Sequence, residues 1–265
     1  MHSAGRRLEH SVMLDVIIPV YNHAEALGRC LFSLYGQTAR PNRIVIVDDG
    51  SADAPESVAD AWKDRLPITF VHQENRGAAA ARNRGFSYCH PERRTAKPAE
   101  VEGSNATDTV DYVIFCDADV KMHPDCLEKM KRALEEHPEA SYAYSSFKFG
   151  FKTFICGPFD AEHLRKMPYI TTTSLMRAKD FPGFDESLKK FQDWDLWLTM
   201  LEQNKTGVWV PEVLFTIKPR KSGMSLWLPS FVHKIPWPIF GWMPREVQRY
   251  REAKRIIMEK HNISA

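Results

Sequence analysis

Asp117 and Asp119 stand two residues apart directly after the apolar run 112–116, and that spacing is the first sign of chemistry in the chain. Two carboxylates at i and i+2 on a strand's end can share a hard divalent cation, which prefers oxygen ligands and takes a diphosphate as co-ligand. Such a cation neutralises the charge that develops on a departing nucleoside diphosphate. Alone the pattern is weak, because acidic pairs are also common in surface turns. Another carboxylate, Asp193, opens a helical pattern whose apolar stripe is Trp194, Trp197, Leu198 and Leu201. By position it reads either as the N-cap of that helix or as a proton acceptor.

The elements that must hold these residues follow from periodicity. Short β-branched runs at 14–20, 43–48, 68–72 and 112–116 read as buried strands. Between them, helices are expected from Asn22 onward (Leu27, Cys30, Leu31 and Leu34), through Val58 and Trp62, and over 77–88. Alternating strands and helices predict a mostly parallel sheet of α/β class with helices on both faces. Ligands of such sheets lie beyond the carboxyl ends of the strands, where Tyr21, Asp48, Asp49, Asn75, Asp117 and Asp119 converge. Residues 90–110 lack periodicity and read as a surface insertion. The second half is less regular: a helix over 124–136, aromatic segments around 142–160, and a basic helix over 245–260.

Composition excludes several classes. Lys plus Arg number 36 against 34 Asp plus Glu, so no global charge points to nucleic acid. The five cysteines are scattered without a C-x-x-C pair, which favours neither zinc nor a disulfide framework and suits a reducing cytosol. The N-terminal residues lack an apolar stretch of signal-peptide length, and no run of about 18 apolar residues occurs. A cytoplasmic protein is expected, with peripheral contact at the inner face of the cell membrane as an added option.

The motifs in order carry more than any one alone. Val16-Ile-Ile-Pro-Val-Tyr-Asn22, Val47-Asp-Asp-Gly-Ser51, Asn75-Arg-Gly-Ala-Ala-Ala-Ala-Arg-Asn-Arg-Gly85 and Phe115-Cys-Asp-Ala-Asp119 are followed by Gly183-Phe-Asp-Glu186 and Gln192-Asp-Trp-Asp-Leu-Trp197. Over about residues 14–220 the chain resembles the family-2 glycosyltransferases. The resemblance implies an inverting enzyme of the A-type fold that uses Mn²⁺ or Mg²⁺ and a nucleotide-sugar donor, most often a uridine one. It implies a catalytic domain over 14–220, with a nucleotide-sugar half (14–120) and an acceptor half (121–220), and leaves 221–265 as an extension. Carried over by position, Pro19 and Tyr21 flank the nucleotide base, and Asp49 accepts a hydrogen bond from its ring N–H. Asn75 and Arg82 reach the nucleotide or its phosphates. Asp119 is the direct metal ligand, with Asp117 toward the ribose or the metal, and Asp193 is the base that takes the acceptor hydroxyl's proton. Its place at a helix start favours the ionised form. Asp48 reads equally as a turn residue bonding its own backbone, and Asp195 as one that shapes the site.

The chain departs from the family pattern in two ways. Gln192 replaces the acid that commonly precedes the base, and Lys218 and Arg220 stand where a histidine is common, which puts a third metal contact in doubt. A Q-x-x-R-W signature of processive synthases is absent, so transfer of a single sugar is expected, onto a glycan or glycolipid acceptor in cell-surface polysaccharide or glycolipid synthesis. Competing readings are a sugar-phosphate nucleotidyltransferase, which lacks its Gly-rich loop here, and an inactive homologue serving as a binding subunit, which Asp119 and Asp193 argue against. A dinucleotide-binding dehydrogenase fails for want of G-x-G-x-x-G.

The extension holds Trp227, Phe231, Trp237, Phe240 and Trp242, then a basic helix with Val247, Tyr250, Ile257 and Met258 on one side. Two readings stay open: aromatics packed over the catalytic domain as a lid, or an aromatic and basic surface suited to an anionic membrane.

Overall fold

The computed structural model describes residues 13–91, 112–218 and 244–263. In chain order the elements are β1 (Leu14–Val20), α1 (Ala24–Tyr35), β2 (Arg43–Asp48), α2 (Pro55–Asp60), β3 (Ile68–His72), α3 (Ala78–Cys89), β4 (Tyr112–Phe115), β5 (Val120–Met122) and α4 (Cys126–Glu136). They continue with β6 (Tyr142–Phe149), β7 (Lys152–Phe154), α5 (Ala161–Lys166), β8 (Leu175–Arg177), α6 (Gln192–Glu202), β9 (Gly207–Ile217) and α7 (Arg245–Lys260).

One sheet runs in the order β3-β2-β1-β4-β8-β6-β9-β5, with β7 paired to β6. β3, β2, β1 and β4 are parallel. β8 joins β4 and β6 antiparallel, β9 runs parallel to β6, and β5 closes the edge antiparallel to β9. The α/β architecture expected from the sequence is the one observed.

The apolar runs are continuous because β1 and β2 are covered on both faces. Val16, Ile18 and Val20 turn to one side with Leu27, Leu31 and Leu34 of α1, while Ile17, Val45 and Val47 turn to the other with Ala79, Ala81 and Phe86 of α3. Gly85 lets α3 approach that closely, since a Cβ there would lie 2.4 Å from Ile17 Cγ2. Val20, Asp48 and His72 are in register, so three strands end at one level and release their loops on one edge.

Tertiary contacts moved several boundaries. Helix α1 starts at Ala24 rather than Asn22: Asn22 sits at φ 51°, its N–H donating to Ser51 Oγ and its Oδ1 accepting from Ala52 N–H. Those bonds stitch the first two loops together and keep Asn22 out of the helix. Asp193 is not the N-cap of α6; Phe191 is, at φ 59°, and Asp193 is the second helical residue. The aromatic segments around 142–160 form the β6–β7 hairpin. The insertion read over 90–110 lies almost wholly outside the described residues, as do Arg220 and the aromatic run from Trp227 to Trp242. Helix α7 spans the residues expected of it; Val247 and Ile257 are buried, and Ile257 and Met258 pack with α6 residues.

Candidate active site

The first half of the site is built from loops after β1, β2 and β3. Tyr21 directly follows β1 with its ring half-exposed, and Pro19 is partly buried before it. Asp49 follows β2 and is buried, accepting from Gln73 Nε2 at 2.7 Å and from the backbone N–H groups of Arg76 and Gly77, both at 2.8 Å. A carboxylate has about four acceptor positions, so three are engaged in holding the 73–77 loop and one stays open. Gly50, at φ 78°, lies against Asn75, whose backbone nitrogen would be 3.2 Å from a Cβ there; a side chain would displace the exposed Asn75. Asp48 takes the turn role, accepting from Ser51 N–H at 2.9 Å and bonding His72 Nδ1 at 2.9 Å.

The second half centres on Arg82. This guanidinium is buried, donating to Asp117 Oδ1 at 2.6 Å and to Gln192 Oε1 at 2.9 Å, with its Nε left without a partner. Arg82 is thus no solvated helix residue; it ties the end of β4 to the start of α6. Gln192 also donates from Nε2 to Leu188 O at 2.7 Å, a bond that a glutamate carboxylate could not make. That is a physical account of the departure at this position.

Asp193 stands beside that pair. Its Oδ1 accepts from Trp194 N–H at 2.9 Å. Burial raises its pKa and the nearby Asp117 charge adds to this, while the Trp194 bond and Arg82 offset only part. Desolvation therefore outweighs the favour that a helix start gives to the ionised form. Arg82, Asp117, Thr172, Gln192 and Asp193 line one cleft of about 320 Å³ together with Tyr250 of α7. Pro19, Tyr21, Asp49, Asn75 and Asp119 are on the same sheet edge but do not line this cleft.

Asp119 is pushed up to about 7, first by burial and then by the charge of Asp117, with Arg82 offsetting only part. A hard cation would relieve that repulsion, so the two carboxylates suit one by chemistry. Among the described residues no group of three or more His, Cys, Asp or Glu is arranged to hold a metal ion. The fit is therefore to an ion that takes one or two protein carboxylates and completes its shell with substrate phosphates and water. The β5–β9 pairing brings Lys218 alongside, its N–H donating to Asp119 O at 3.2 Å.

Three contacts were not read from the sequence. Asn83 clasps the 183–186 loop, donating to Phe184 O and accepting from Phe184 N–H, both at 2.8 Å. Arg76 donates to Glu186 at 2.8 Å. The motif 75–85 thus holds the motif 183–186, and motif order alone hints at that. The third is the docking of α7. Lys260 Nζ pairs with Asp185 at 2.6 Å and with buried Asp195 at 2.7 Å, and His261 bridges Asp195 and Glu202 at 2.9 and 2.8 Å. Asp195 thus anchors α7, whose Tyr250 ring meets Phe191 at 5.1 Å.

The α/β sheet thus carries paired carboxylates after one strand, and Asp193 is partly buried in the cleft that Asp117 also lines. Residues 15–189 match the model of glycosyl transferase family 2, and the chain belongs to that family. An uncharacterized glycosyltransferase of Haemophilus influenzae is 27% identical over 208 residues, which is 72% of this chain and 63% of the relative. The chain spans from about a third to just under two thirds of the length of the first curated relatives it matches. Among solved structures, S. aureus TarS 1-349 in complex with UDP-GlcNAc superposes with a TM-score of 0.63 at 17% identity, over 95% of this chain and 72% of that one. The mannosyltransferase PcManGT from Pyrobaculum calidifontis, in complex with GDP-Man and Mn²⁺, gives 0.59 at 19% identity, over 92% and 69%. These two likenesses show the fold.

Proposed function

We propose that the chain transfers a single sugar, with inversion, from a nucleotide-sugar to an acceptor hydroxyl of a glycan or glycolipid. The observation that carries this reading is Arg82, which holds Asp117 and Gln192 so that Asp193 and the D-x-D segment share one edge. The donor is assigned as a UDP-sugar; the neighbours solved with UDP-GlcNAc and GDP-Man support a nucleotide-sugar at this edge.

Tyr21 stacks on the base, the open acceptor position of Asp49 takes its ring N–H, and Asn75 and Arg82 reach the nucleotide or its phosphates. Asp119, assisted by Asp117, holds Mn²⁺ or Mg²⁺, which when bound neutralises charge on the leaving diphosphate. Asp193 accepts the proton of the acceptor hydroxyl. Burial raises its pKa above the ordinary carboxylate value, which makes it a stronger proton acceptor than an exposed aspartate. The catalytic unit is 14–220, and α7 of the 221–265 extension walls the acceptor side through Tyr250.

The test is a donor screen with the intact chain, Mn²⁺, a panel of nucleotide-sugars and saccharide acceptors, read by release of nucleoside diphosphate. One nucleotide-sugar is expected to give release that EDTA abolishes. No release from any donor, together with no metal-dependent nucleotide binding, overturns the reading.

A further inference from the structure

We propose that the tip of the β6–β7 hairpin docks on an anionic lipid surface and turns the nucleotide-binding edge of the sheet toward it. Phe151 at the tip is more exposed than in an extended chain, at 109%, and Ile155 is 68% exposed. Each of these two side chains gains by leaving water for an apolar layer. Lys148 and Lys152 flank the tip and are exposed, and no Asp or Glu occurs from Ser141 to Phe159. An apolar point ringed by cations and free of acids complements anionic headgroups over an acyl layer. A protein partner or second copy would meet the apolar tip, but nothing in the hairpin offers the mixed charges that fix register in such contacts.

The inner part of the hairpin is built to hold that tip out. Phe154 stacks on Phe147 at 5.0 Å and Phe147 on Phe215 at 5.5 Å, an aromatic ladder that fastens β7 and β6 to β9. Lys152 lies over the Phe154 ring at 4.7 Å. The alternation of apolar residues thus splits into an anchored set, Phe147 and Phe154, and an outward set, Phe151 and Ile155.

Its position sets the consequence. β6 is antiparallel to β8, which is antiparallel to β4, so β6 ends on the same edge as Asp117. Gly150 N–H donates to Ile217 O at 3.0 Å, and the next residue, Lys218, donates to Asp119 O at 3.2 Å. Two backbone hydrogen bonds therefore link the exposed turn to the D-x-D segment. A surface touching the hairpin faces the donor edge, which suits an acceptor carried by lipid. The docking itself does not depend on the transfer reaction.

Cosedimentation of the full chain tests this, with vesicles of phosphatidylcholine alone and of phosphatidylcholine with phosphatidylglycerol. Binding is expected only to the anionic vesicles and should weaken at high salt. The double substitution Phe151→Ser with Ile155→Ser should weaken it roughly tenfold or more, the effect of losing two buried apolar side chains. Lys148→Glu with Lys152→Glu should remove the preference for anionic lipid. The Phe151/Ile155 variant should keep the parent's melting temperature and nucleotide binding, since both side chains are exposed; the lysine variant should keep nucleotide binding while losing the contact of Lys152 with the Phe154 ring. Absence of cosedimentation at low salt overturns the proposal, as does binding that the hairpin variants leave unchanged. Vesicle-free self-association that the Phe151 variant abolishes, with no vesicle binding, overturns it as well and assigns the tip to a second copy of the chain.

Discussion

Arg82 and Asp117 form a 2.6 Å ion pair in which the arginine is buried and the carboxylate is 41% open. Such an arrangement fixes the position of Asp117 while leaving it reachable by a ligand. Arg82→Met keeps length but removes the cation between Asp117 and Gln192. We expect a stability loss of about 1–3 kcal/mol, in the range of a charge-assisted hydrogen bond, together with loss of nucleotide affinity by calorimetry. Arg82→Lys should recover only part, because a compact ammonium lacks the planar, pre-organised fork with which the guanidinium meets both partners.

Asp119 links metal to pH. Its folded value near 7 is above the ordinary 3.8, so the stability it contributes is full below 3.8 and is lost as pH rises toward 7. A divalent cation binds the ionised form and should reverse that trend. The shift of melting temperature on adding Mn²⁺ is expected to grow as pH rises through about 7. In Asp119→Asn the shift should disappear; an unchanged shift would place the metal elsewhere.

The proton acceptor is tested by a pair of substitutions. Asp193→Asn should hold donor affinity while turnover falls by roughly 10²- to 10⁴-fold. Gln192→Glu adds a negative charge beside Asp193 and loses the donor to Leu188 O. Like charge raises a carboxyl pKa, so the acid limb of the pH–rate profile should move to higher pH. A limb that stays in place would mean that Asp193 is not the titrating base.

The anchor of α7 carries its own pH dependence. Burial by itself lowers the pKa of His261, but its bonds to Asp195 and Glu202 outweigh that and raise it above 6.5. The stability from this contact is therefore full below 6.5 and is lost as pH rises through the raised folded value. Lys260 keeps its pairs with Asp185 and Asp195 throughout, so the change should be about 1 kcal/mol. His261→Gln should abolish it, read as melting temperature against pH. Because Tyr250 rides on the same helix and lines the cleft, the acceptor KM should rise more than kcat falls.

Much of the fold was legible in the chain because its signals are local. The β-branched runs 14–20 and 43–48 name strands buried on both faces, and the turn residues after them name the edge where ligands lie. The motif order was enough to recognise the family, and α7 was read to its ends from charge and apolar spacing. Boundaries failed where a distant partner competed with local propensity, as with Asn22, which Ser51 and Ala52 draw out of the helix.

The site divides along the same line. By itself the sequence determined which residue types stand at the strand ends, since periodicity and turn chemistry act over a few residues. Only the tertiary structure decided that Arg82 reaches Asp117, 35 residues away, and Gln192, 110 residues away. It also decided that Asp193 lies behind a left-handed Phe191 rather than capping its helix, and that Asp195 pins α7. The reason is physical: a side chain's partner, burial and charge depend on elements brought together by packing, and residues far apart in sequence leave no periodic trace of that meeting.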